Sequence, residues 1–76
     1  MKAVKVEWLD IASGTIHWTD FDDLEFGPLE CESVGWLVKE TDEYIAIAQN
    51  YNKENDLIAD TMTFPKSVVV KMTELK

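Results

Sequence analysis

One cysteine, Cys31, and one histidine, His17, are all the thiol and imidazole chemistry that 76 residues carry. No disulfide can close within the chain, which fits a reducing compartment and makes Cys31 a core-filling thiol. A nucleophilic reading of Cys31 needs a base beside it, and nucleophilic catalysis in general lacks a base and its orienting group here. Zinc needs four well-placed soft or imidazole ligands, so two candidates exclude it. Two prolines and three glycines leave no glycine-rich phosphate cradle, and no repeat, linker or low-complexity segment interrupts the chain. No run approaches the roughly 18 apolar residues of a membrane span, and Met1-Lys2-Ala3-Val4-Lys5 has no apolar signal core. A soluble, cytoplasmic protein is the expectation. Positive charge is scarce too. Seven basic against 15 acidic residues give a formal charge of −8, which argues against nucleic acid or an anionic membrane as direct partner. A basic protein partner stays open, and so does the plainer role of acidity in keeping a small β protein soluble and its edges apart.

What is present is strand pattern around one central stretch, Val34 to Tyr51. Val34, Trp36 and Val38 alternate with Gly35, Leu37 and Lys39. A polar turn, Glu40-Thr41-Asp42-Glu43, follows, and Tyr44 to Gln49 alternates again. Alternation of β-branched and aromatic residues between turn signals predicts an antiparallel hairpin. Val4, Val6 and Trp8 share one face of an opening strand that Asp10 to Gly14 closes. After the polar connection Asn52 to Asp56, Ile58, Met62 and Phe64 share one parity of a fourth strand. Asp60 breaks that parity, so a bulge or an edge position is expected there. Pro65-Lys66-Ser67 interrupts the ladder, since proline cannot donate to it, and Val68 to Met72 forms the last strand. Trp8, Trp36, Val34, Ile45, Ile47 and Val70 read as interior. The expected fold is all-β: one domain, residues 1–76, with five short strands wrapped into a small barrel that leaves little exposed edge. At this size one core supplies only about 3–5 kcal/mol.

Between the first two strands runs a long connection holding Asp20, Asp22, Asp23 and Glu25 among Phe21, Leu24 and Phe26. It reads as half a turn of helix or an irregular excursion, and long ordered loops in compact domains tend to be functional. A calcium loop of EF-hand type is excluded. Counted from Asp20, the sixth position, which must be glycine, is Glu25, and the twelfth, which must be glutamate, is Cys31. Three tryptophans and two tyrosines exceed the needs of so small a core. Trp18 and Tyr51, both bordering loops, are the rings expected to reach the surface as binding anchors.

The order of strand, long acidic loop, hairpin, further strand, helical turn at a proline and final strand resembles an SH3-like barrel. Thr63-Phe64-Pro65-Lys66-Ser67-Val68-Val69 is similar to the apolar-Pro-x-x-aromatic-Val segment before the last SH3 strand. Asp23-Leu24-Glu25-Phe26 resembles the end of the acidic loop of that family. The resemblance covers most of the chain in topology and little in identity. It departs where the family has a tryptophan at the start of its third strand, here Tyr44, and a tyrosine after the proline, here Val68. Only Pro65 and Tyr44 then remain of the walls that would hold a proline-rich ligand. Val6-Glu7-Trp8-Leu9-Asp10, Trp18 with its acidic neighbours, Val34-Gly35-Trp36-Leu37 and Phe64-Pro65 together also resemble short uncharacterised bacteriophage-encoded proteins. That resemblance implies a bacterial host cytoplasm and no particular activity.

The functional expectation is a non-enzymatic module that binds a protein partner, without cofactor or metal, through Trp18, Asp20, Phe21, Asp22, Asp23 and Glu25, with Tyr44 and Tyr51. Carboxylates would steer a basic partner and aromatic rings would hold it. A barrel this small has little room for a substrate cleft. Two other readings stay open. One is an acidic mimic of nucleic acid, with Glu30, Glu32, Glu40, Asp42, Glu43, Glu54 and Asp56 joining one stripe. The other is a homodimer paired through an edge strand.

Overall fold

A computed structural model describes residues 1–11, 18–23 and 27–76, with the side chain of Asp23 outside the description. Five strands are formed: β1 (Ala3–Asp10), β2 (Leu29–Glu40), β3 (Tyr44–Asn52), β4 (Leu57–Pro65) and β5 (Val69–Leu75). Single 3-10 turns lie at Phe21–Asp23 and Lys66–Val68. Every pairing is antiparallel, in one sheet of order β4-β3-β2-β1-β5. The all-β reading, its five strands and the helical turn after Pro65 therefore hold. Of the acidic connection, Leu24, Glu25 and Phe26 lie outside the described residues, as do Ala12 to His17.

The expected closure into a barrel is not made. β4 and β5 are the two edges of an open sheet. Pro65, which has no N–H to give a ladder, ends β4, and the 3-10 turn carries the chain directly to β5. Side chains bridge the sheet where hydrogen bonds do not: the rings of Trp8 on β1 and Phe64 on β4 lie 5.0 Å apart at 56°. They meet because β2 serves two ladders. Its residues from Leu29 to Trp36 pair with β1, and those from Trp36 to Glu40 pair with β3. Val38 is the extra residue where the second ladder shifts register, and such a bulge bends the strand and sharpens its twist.

The core inside the curl is Val4, Val6, Ile45, Ile47 and Phe64, with Trp8, Leu37, Val68, Val69 and Met72 packed against it. Each buried Val, Ile or Phe contributes about 1.5–3 kcal/mol before chain entropy is subtracted. The indole Nε1–H of Trp8 donates to Ser33 Oγ at 3.0 Å, so the half-buried ring keeps its polar end satisfied.

The interior parity of β2 is the reverse of the one expected. Val4 pairs with Gly35 and Val6 with Ser33, so Gly35 and Leu37 lie on the core face. Val34 is 57% exposed, Val38 is exposed, and Trp36 is half-buried against Tyr51, 5.8 Å away and edge-on. The reason is a close approach of backbones: a Cβ on Gly35 would stand 2.7 Å from the carbonyl oxygen of Ala48. Val70, also expected inside, is 65% exposed. A register shift between Glu7 and Trp8 sets Val69 opposite Trp8 instead.

Both hairpin turns are built by side chains that bond their own backbone. Thr41 Oγ1 accepts from the N–H groups of Glu43 and Tyr44, each at 3.1 Å. The Lys66 N–H donates to the carbonyl of Glu43 at 2.8 Å, fastening the 3-10 turn to this hairpin. At the far end Asn52 Oδ1 accepts from the Asn55 N–H at 3.1 Å. Asp56 and Asp60 take left-handed backbone, φ 55° and 58°, which aspartate tolerates better than most residues. The ladder keeps one register across Asp60, so the expected irregularity there is an edge position and not a bulge. Among the described residues no helix is long and apolar enough to cross a membrane.

Candidate functional site

Three features of the described surface could hold a ligand. The first is the segment from Trp18 to Asp22. Trp18 is wholly exposed, and Asp20, Phe21 and Asp22 are exposed with it. Asp23 ends the same 3-10 turn, whereas Glu25 falls outside the described residues. A ring left in water gains free energy when a partner covers it, and carboxylates around it favour a partner of opposite charge.

The second is an apolar groove of about 270 Å³ where the end of β1 faces the end of β4. Trp8, Ile11, Met62, Phe64, Pro65 and Val68 line it, and Asp10 is the acid among its lining residues. One oxygen of Asp10 is engaged, accepting from the Ile11 N–H at 2.8 Å. The groove lies where the sheet curls without closing, with half-buried Trp8 and buried Phe64 among its lining residues. The sequence marks Pro65 as a wall of a ligand groove, but neither Ile11 nor Met62 as a binding residue. Their signal was an apolar side chain directly after a strand end, and one on an edge strand.

The third lies on the outer half of the β3–β4 ribbon, where Tyr51, Leu57 and Ile58 border a shallow concavity. Tyr51 is half-buried, and its hydroxyl donates to Asp56 Oδ1 at 3.3 Å. Partial burial and then the charge of Asp56 hold the phenol above its ordinary value of 10.0. Both effects disfavour phenolate.

The two tyrosines among the eight expected site residues stand at opposite ends of β3. Tyr44 opens β3 opposite Pro65, half-buried, with the Lys39 ammonium 5.9 Å from its ring centre. Tyr51 stands near the other end of β3, roughly 23 Å along the strand. Trp18, Asp20, Phe21 and Asp22 form a contiguous group apart from either tyrosine in the chain. Ile58 and Met62, which share a parity with buried Phe64, are about two-fifths exposed because β4 has no neighbour on its outer side among the described strands. Among the described residues no three His, Cys, Asp or Glu side chains converge as metal ligands would.

No family model matches the chain, and no curated protein or solved structure does either.

Proposed function

We propose that the chain is a non-enzymatic protein-binding module of SH3-like form, taking hold of a basic protein partner through the Trp18 to Glu25 loop. The observation that carries this reading is the exposure of Trp18 and Phe21 among the exposed carboxylates of Asp20 and Asp22. Covering a ring such as Phe21 contributes about 1.5–3 kcal/mol, which is ample for a contact anchor, while the acids raise the rate of encounter. The strand order, the long shared β2 and the 3-10 turn between β4 and β5 support the SH3-like form, in an open version whose edges stay unpaired. A phage-encoded module working in a bacterial cytoplasm accords with the sequence resemblance.

The test has two stages. Partners are captured from bacterial lysate with the native chain and with a variant carrying D20N, D22N, D23N and E25Q, and association with a captured partner is then timed at several salt concentrations. The neutral variant should associate about tenfold more slowly at low salt, and Trp18→Ala should mainly speed dissociation. Equal association rates for native and neutral chains would defeat the proposal.

A further inference from the structure

We propose that the outer edge of β4 accepts an extended, basic-ended peptide segment by strand addition. This extends the binding-module reading to a second surface, and its test does not touch the Trp18 loop. The two edges of the sheet are unlike. β5 carries exposed Lys71 and Glu74 along its length, the charges that ordinarily keep an edge strand from acquiring a neighbour. β4 is longer, with nine residues, and all but Phe64 are exposed. Its only charge is Asp60, which already accepts from the Asn50 side-chain amide. Leu57, Ile58 and Met62 show apolar surface beside backbone groups that none of the described strands pairs on that side.

Charge selects the occupant. The turn before β4 exposes Glu54 and Asp56, and the turn alongside its other end exposes Asp42 and Glu43. That second turn is fixed there by the Tyr44–Pro65 pairing and the Lys66–Glu43 backbone bond. Lysine does little to balance these acids: Lys66 is engaged by Glu40 at 3.1 Å and Lys39 stands over the Tyr44 ring, with Lys53 at the first turn. The two acidic turns stand roughly 30 Å apart, the length of nine extended residues. A second copy pairing β4 on β4 antiparallel would set the Glu54–Asp56 turn of each chain against the Asp42–Glu43 turn of the other. Like charges would meet at both ends. An uncharged strand of similar length with Lys or Arg at its ends meets neither obstacle: its main chain extends the sheet, and its cations reach the two turns.

The full chain, isotope-labelled for amide NMR, is titrated with three blocked nonapeptides. One is Lys-Thr-Val-Thr-Val-Thr-Val-Thr-Lys, the second has Glu for both Lys, and the third is the first with alternate backbone nitrogens methylated. The first should bind and shift the amides of Leu57 to Phe64. The other two should bind about tenfold more weakly or worse, one losing the charge match and the other the main-chain bonds. The variant D42N, E43Q, E54Q and D56N should bind the two unmethylated peptides alike. Equal affinity of native chain for Lys- and Glu-ended peptides would overturn the inference. So would shifts centred on the Ile11–Pro65 groove or the Trp18 loop, unchanged binding of the methylated peptide, or a dimer in sedimentation whose interface is β4.

Discussion

Gly35→Ala isolates the close approach on which the β2–β3 crossing depends. Gly35 is in a strand, and strand interiors ordinarily gain about 0.5–1 kcal/mol when glycine becomes alanine. Here the added methyl would stand 2.7 Å from Ala48 O, 3.3 Å from Ala48 C and 3.2 Å from Ile47 Cδ1. The nearest neighbour is main chain inside a ladder, which cannot turn aside as a side-chain tip can. Overpacking of this kind costs about 1–3 kcal/mol, so the sign of the propensity argument is reversed. For a domain of this length each kcal/mol lowers the melting temperature by about 4–8 °C. Urea and thermal unfolding, followed by near-ultraviolet circular dichroism of the three tryptophans, would measure the loss. Adding Ile47→Val separates the two contacts. It removes Cδ1 but leaves the carbonyl, so it should add its own cost of about 0.5–1.5 kcal/mol and not restore the single variant. A Gly35→Ala chain as stable as the native one, or a double variant more stable than the single, would refute the argument.

Phe64→Ala should cost about 3–5 kcal/mol, comparable to all the stability such a core supplies, because the buried Phe64 ring packs on Trp8 across the open side. Loss of near-ultraviolet signal and of β content together would be the outcome, and Phe64→Leu should stay folded. Absorbance titration at alkaline pH should find Tyr51 ionising above the usual range, with Asp56→Asn bringing it back toward 10.0 and Tyr51→Phe abolishing that step. Because the folded value is the raised one, the neutral phenol's contribution to stability is complete below about pH 10 and lost as pH rises through that folded value. Tyr51→Phe should therefore resist alkaline unfolding better than the native chain.

Where one reading of the residues was physically cheaper than any other, the sequence was legible. Polar turns between alternating strands admit few arrangements, and Pro65 could only end a ladder. Inside and outside were harder to tell apart in Val34-Gly35-Trp36-Leu37-Val38, because both parities are apolar and the deciding residue, Gly35, has no side chain to betray its place. Val68-Val69-Val70 is ambiguous for the same reason, and the register shift opposite Trp8 settles it. Closure was beyond reach because it depends on how sharply β2 bends at Val38, a property of two ladders together. For the site, the exposed ring of Trp18 followed from its place bordering a loop. Tyr51 did not: its partner Trp36 was expected on the opposite side of the sheet. The edge position of β4 was legible only at Asp60, since Ile58 and Met62 in a strand look like core until the neighbouring strand is found missing.

The outermost pairing of β1 and β5, Ala3 beside Leu75, joins positions near opposite ends of the sequence. No other ladder asks the polymer to close so large a ring, and ring closure is slow to be repaid. Until it forms, one side of β1 stands bare. Connecting those two ends by a short tether and reopening the chain at Lys53–Asp56 would turn this most distant partnership into a neighbouring one, exchanging a late step in assembly for an early one.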